Sequence, residues 1–225
     1  MSGTDALVAR LVADLRPVRR LAPPWLRAAA FVAVVAAGAG WLATTIELAP
    51  VAARIGAFPD MWLAVAGSVA TAVLATLAAM MVSLPDRSAR WALLPLPALA
   101  MWLGASGLGC LRAPRAPHTT AATWLDSFDD CLPFIVRTSI LLAIPLGLLL
   151  WRARPLRPAL TATVGGLALA ASSASLLWFE HPFDATAIDL LAHTVAVILV
   201  VLACWLATPL QNRAGRRSDV AALRR

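Results

Sequence analysis

Polarity along this chain changes by whole segments and not residue by residue. Runs with few or no charges extend from Ala28 to Ile46, Met61 to Leu84, Trp91 to Leu111, Cys131 to Trp151, Ala159 to Phe179 and Leu190 to Leu210. Each holds about 19 to 24 residues, enough to cross the hydrocarbon of a bilayer with some tilt. Backbone groups in hydrocarbon must be satisfied within the segment, so the runs predict helices and not open strands. The expected fold is all-α: a polytopic membrane protein with six transmembrane helices. An arm over residues 1–25 precedes a membrane domain over 26–211, and a basic tail covers 212–225. The first span follows a mostly polar stretch and is too long for the apolar core of a signal peptide, so it is expected to stay as an uncleaved anchor. Two spans break the apolar pattern. The fourth holds Arg137, and the sixth has Asp189 at its edge and His193 one turn in.

Composition agrees with a bilayer as solvent. The 225 residues are 60% hydrophobic and 14% charged, whereas soluble domains are about 25% charged. The net charge of +7 raises the question of nucleic acid. The positions of the arginines answer it, since the chain has no lysine. Fifteen of the 19 lie in the arm, the 85–90 turn, the 152–158 turn and the tail, while the alternate connections hold three, Arg54, Arg112 and Arg115. This is the positive-inside pattern, which predicts both termini in the cytoplasm. Glu47, Asp60, Asp126, Asp129, Asp130, Glu180, Asp184 and Asp189 all fall on the arginine-poor side. Topology and anionic lipid therefore account for the cationic surface, with no direct nucleic-acid contact.

The arm carries a helical period. From Thr4 to Arg16, residues Leu7, Val8, Leu11, Val12 and Leu15 share one stripe, with Asp5, Arg10 and Asp14 elsewhere. Thr4 is the expected N-cap, and Pro17 disfavours helix at Arg16 and ends the segment. Such a short helix is marginal alone in water, so its apolar face needs a cover. The membrane surface, the protein's own inner turns and a groove on a soluble partner all qualify. The short inner connections predict hairpins of spans 2 with 3 and 4 with 5, with Asp86 or Ser88 capping the start of helix 3. Gly38, Gly40, Gly104, Gly107, Gly109, Gly165 and Gly166 are expected to let helices approach closely. Pro95, Pro97, Pro133 and Pro145 should bend or begin helices.

On the outer side, Cys110 closes span 3 and Cys131 opens span 4, with Cys204 placed mid-span in helix 6 as packing. Trp124, Leu125 and Phe128 against Asp126, Asp129 and Asp130 suggest a short helix at the interface. Cys110 and Cys131 can form a disulfide if their alpha carbons approach within about 7 Å, or remain two buried thiols. Glu180, His181, Asp184, Asp189 and His193 gather on the next outer loop, and Asp189 and His193 share a face at i, i+4. Cys131, His181, Asp184, Asp189 and His193 are accordingly candidate metal ligands, set against ordinary polar residues at a helix start. Arg137, with Asp130 or Asp189 as partner, is a structural pair, a snorkelling side chain or part of a transport path. No nucleotide loop, Ser/His/Asp set or HExxH motif is present, so the chain is not expected to be an enzyme and no cofactor is assigned.

Specific turns carry a resemblance. Asp14-Leu15-Arg16-Pro17-Val18-Arg19-Arg20-Leu21 with Pro23-Pro24, Leu84-Pro85-Asp86-Arg87-Ser88 running into Trp91-Ala92-Leu93-Leu94-Pro95-Leu96-Pro97, Gly109-Cys110 and Pro155-Leu156-Arg157-Pro158 resemble the NrsF family over nearly the whole chain. That resemblance implies an inner-membrane anti-sigma factor that holds an extracytoplasmic-function sigma factor and releases it on stress. The arm would then be the binding element, through Leu7, Leu11, Leu15, Arg16, Arg19 and Arg20. It also implies outer-side sensor cysteines, of which Cys131 looks like one. The second would fall where this chain reads Phe179-Glu180-His181-Pro182-Phe183-Asp184, with His181 in its place. A mixed Cys/His site with a divalent or heavy metal as signal, or a Cys110–Cys131 pair, are the alternatives left. The competing function is a small-solute or ion transporter or channel, motivated by Arg137, His193 and the prolines.

Overall fold

An apolar segment without water closes its hydrogen bonds on itself, and helix dominates this chain. The structure, a computed structural model, describes residues 3–13, 20–112, 121–180 and 187–223, without the side chains at 54, 110, 112, 121–130, 187–189 and 209–223. Its helices are α1 (Gly3–Ala13), α2 (Pro24–Thr45), α3 (Leu48–Gly56), α4 (Pro59–Val82), α5 (Leu96–Arg112), α6 (Ala121–Trp151), α7 (Pro158–Glu180) and α8 (Ala187–Leu223), with a 3-10 turn at Ala89–Leu93 before α5. No strand occurs among the described residues. Six stretches are long and apolar enough to cross a membrane: Pro24–Thr45, Pro59–Val82, Ala89–Gly109, Cys131–Trp151, Pro158–Glu180 and Leu190–Thr208. Their limits fall within a few residues of the expected ones.

Three elements depart from expectation. Between the first two spans, α3 forms over Leu48, Val51 and Ile55, whose helical spacing is visible in retrospect. The expected short interfacial helix around Trp124 is instead the first part of α6, which runs 31 residues without a break. Pro133 lies within that helix and does not end it. Finally, α8 runs 37 residues to Leu223, so the basic tail is helical, a form the sequence did not announce.

Side-chain size decides which helices sit in the middle. In hydrocarbon, helices associate by close packing and not by hiding apolar surface from water, so small residues collect where backbones meet. The central helices are α4 and α7. The first buries Ala64, Gly67, Ser68, Thr71, Ala72, Ala75, Ala78 and Ala79, the second Gly165, Gly166, Ala168, Ala170, Ala171, Ser172, Ser173 and Ala174. Of the α7 span 72% is buried, against 17% of the α8 span. The bulky residues of α6, Ile140, Leu141, Ile144 and Leu148, point outward and stay exposed. The expected hairpins form, α4 packing on α5 and α6 on α7, while α4 packs most extensively on α7.

Buried hydroxyls bond along and between these helices. Thr71 Oγ1 donates to the Gly67 carbonyl and Thr76 Oγ1 to that of Ala72, each at 2.7 Å. Ser139 of α6 and Ser173 of α7 pair at 3.0 Å. Ser175 Oγ lies 2.8 Å from the Ala171 carbonyl and 3.2 Å from Ser68 Oγ, tying α7 to α4. Among the glycines, a Cβ at Gly67 would stand 2.8 Å from the Trp102 backbone and one at Gly166 2.9 Å from Val201 Cα. Gly166 therefore packs as expected and Gly67 was missed. Gly40, Gly104 and Gly107 have nothing within 4 Å of that position among the described residues, which make no close approach there.

Candidate partner-binding site

The site is built at the arginine-rich end, starting from α1. Asp5 in its first turn and Arg10 in its last complement the helix dipole. The helix starts at Gly3, so Thr4 lies just inside it and not at its cap. None of its residues is buried: Leu7, Val8, Leu11 and Val12 are 57%, 52%, 61% and 60% exposed. Of the three covers open to this stripe, the protein's own turns do not supply one among the described residues. Covering such a side chain is worth about 1.5–3 kcal/mol, so the stripe is an unmet demand for a surface. Arg20 and Leu21 follow, both exposed. Leu15, Arg16 and Arg19 lie outside the described residues.

Pro23 and Pro24 start α2, with Pro23 as N-cap and Pro24 in the first turn, where a missing N–H does no harm. Trp25 is exposed at the same level, the place of an interfacial anchor. Arg27, one turn in, is buried at 4% exposure. Its Nη2 donates to the Leu149 carbonyl at the end of α6. That carbonyl lacks its usual partner, because the Ala153 N–H turns instead to Leu150 at 3.0 Å and the chain leaves the helix through Arg154 at φ 45°. A cation on the last carbonyls of a helix is favourable for charge as well as hydrogen bonding. Sequence reading counted Arg27 only as one inside charge. Its position below Pro-Pro, already within the span, was the available signal.

Two other contacts order this end. Arg157 Nη1 donates to the Arg87 carbonyl at 2.8 Å and joins the two arginine-bearing turns. Ser88 caps the 3-10 turn, accepting from the Arg90 N–H at 3.2 Å, as its position suggested. The Arg87–Asp86 ion pair at 3.6 Å is exposed on both sides and contributes little.

At the opposite end, Cys131 is 1% exposed and packs with Ile135, Leu177, Ala192 and Ala196 where α6, α7 and α8 meet. His193 lines a different space, a cavity of about 190 Å³ between α5, α7 and α8 with Leu99, Trp102, Ser106 and Trp178. The two candidates thus face different sides of α8. Cys131 and Cys204 are both thiols. Among the described residues no group of three His, Cys, Asp or Glu side chains could hold a metal. His181, Asp184 and the side chains of Cys110 and Asp189 lie outside the described residues. Arg137 is exposed on the outward side of α6 and not turned into the bundle. Its expected partners Asp130 and Asp189 are likewise without described side chains.

Six helices long and apolar enough to cross a membrane, preceded by an amphipathic helix that no described residue covers, define the class: an all-helical protein of the polytopic membrane type. A family model described as negative regulator of sigma F matches residues 11–213. The chain belongs to this family, NrsF, whose name makes it a negative regulator of a sigma factor and whose class is regulatory, not enzymatic. Comparisons with curated proteins and with solved structures found no match.

Proposed function

We propose that this protein is an integral inner-membrane anti-sigma factor: its cytoplasmic arm sequesters an extracytoplasmic-function sigma factor and releases it on an outer-side metal or redox signal. The carrying observation is the stripe of α1, four large apolar side chains exposed ahead of the first span in a family that regulates a sigma factor. An amphipathic helix laid into an apolar groove is a recurrent way for a short segment to bind a folded partner. Arg16, Arg19 and Arg20 would flank the groove as rim charges. Such charges steer the encounter more than they hold the complex. Cys131, with Cys110 or His181, would receive the signal at the other end of the bundle. A cytoplasmic arm puts the sigma factor on the side where RNA polymerase works and leaves the sensor facing out.

The test is co-purification of the full chain in detergent with candidate sigma factors of its host, beside Leu7→Asp with Leu11→Asp. Losing two anchors at about 1.5–3 kcal/mol each should lower capture by at least about a hundredfold. Undiminished capture would sink the assignment of the arm. The transport reading is the less supported, because among the described residues Arg137 faces outward and the cavity beside His193 is mostly apolar.

A further inference from the structure

The buried guanidinium of Arg27 is only half satisfied. Nη2 bonds the Leu149 carbonyl, whereas Nη1 is buried with no hydrogen-bond partner among the described residues. A charge-assisted bond and an orphaned buried donor are of similar size and opposite sign, so the docked position is held by a narrow margin. The alternative is close at hand. Arg27 is the fourth residue of α2, about 4.5 Å from the helix start at 1.5 Å per residue, and a long side chain at that depth can snorkel to the headgroup layer.

Both partners of this bond lie at the arginine-rich end, and one of them leads along α6 to the other end of the protein. Leu149 closes α6, and Cys131, about 27 Å away along the same helix, is locked against α7 and α8. Pro145, like Pro133 inside α6, removes a helix hydrogen bond, and it does so one turn before Leu149, so the last turns of α6 are tied by one bond fewer. On the other side of the bond, Pro23 and Pro24 restrict the backbone where the chain enters α2.

We propose that Arg27 is a positioning residue that couples the end of α6 to the arm: docked on Leu149 it orders the arm's junction, and undocked it frees it. The proposal rests on the arm as binding element only for its consequence, since docking itself can be read without a partner. An ordered junction spares part of the entropy of binding, so release of Arg27 weakens capture.

The experiment compares the full native chain in detergent with Arg27→Met and Arg27→Lys by hydrogen exchange over residues 20–30 and 146–153, beside sigma-factor capture. Methionine keeps volume and removes the half-satisfied charge, so the helical bundle should keep its thermal stability. Exchange in both segments should rise about fivefold or more in Arg27→Met, with capture falling by a similar factor. Arg27→Lys, which keeps a donor for the carbonyl, should restore most of both. Unchanged exchange in either segment overturns the coupling, as does faster exchange with undiminished capture. If methionine disrupts the fold, the lysine variant decides: native exchange supports the tie, and exchange as fast as in an unfolded junction overturns it. Failure of the arm assignment is separate, since it appears as capture indifferent to Leu7→Asp with Leu11→Asp.

Discussion

Gly166 and Gly104 both interrupt apolar helices, yet a methyl group should have opposite effects at the two. At Gly166 the new Cβ would meet Val201 Cα at 2.9 Å, a backbone atom that cannot turn aside, so α7 and α8 would have to separate. Gly166→Ala should destabilise the protein by about 1–3 kcal/mol, as overpacking does. Gly104→Ala meets nothing within 4 Å among the described residues and should be neutral or gain up to about 1 kcal/mol from helix propensity. Unfolding in detergent followed by circular dichroism separates the two, and equal effects would contradict the packing described. The residue types were legible in the sequence and their neighbours were not. Gly67 against Trp102 and Arg27 against Leu149 show the same gap, because each contact joins residues far apart in the chain and carries no local period.

Among elements, the arm was the most legible. The period of Leu7, Val8, Leu11 and Val12 appears in a single helix whose stripe remains exposed. The sequence left three covers open, and packing against the described turns is now set aside. The sensor candidates were legible only as residue types. Cys131 lies in the α6–α7–α8 contact, a three-helix junction that no spacing within α6 could announce. Its burial predicts slow chemistry, because a thiol must meet its reagent to react. N-ethylmaleimide should label Cys131 at least about tenfold more slowly in the native detergent-solubilised protein than after denaturation, read by mass spectrometry. Ala192→Leu, which overpacks that contact, should speed labelling. Native labelling as fast as denatured labelling would show that the junction is open. The helix α3 was missed for a plainer reason: a short amphipathic helix between spans is overshadowed by the longer apolar runs beside it, whereas the helix expected around Trp124 is present as the first turns of α6.

For the whole molecule, six candidate spans would put both termini on one side, and on the proposed reading the arginine bias makes that side the cytoplasm. Fluorescent-protein fusions at either terminus should therefore be bright. Alkaline phosphatase placed in the 113–120 or 181–186 connection should be active, and activity at a terminus instead would reverse the proposed direction of signalling.

Length and polarity of each apolar run suffice to set helix and span, because hydrocarbon demands that every segment satisfy its own backbone. The sequence alone therefore determined six spans, the hairpin connections and the amphipathic arm, all of which depend on neighbours along the chain. Only the tertiary structure decided that α4 and α7 form the centre, that Arg27 closes the end of α6, that Cys131 and His193 face different sides of α8, and that the arm's stripe is uncovered by the described part of the bundle. Those outcomes depend on which small residues meet across helices. In a bilayer, where apolar surface gains nothing by turning inward, shape alone makes that choice.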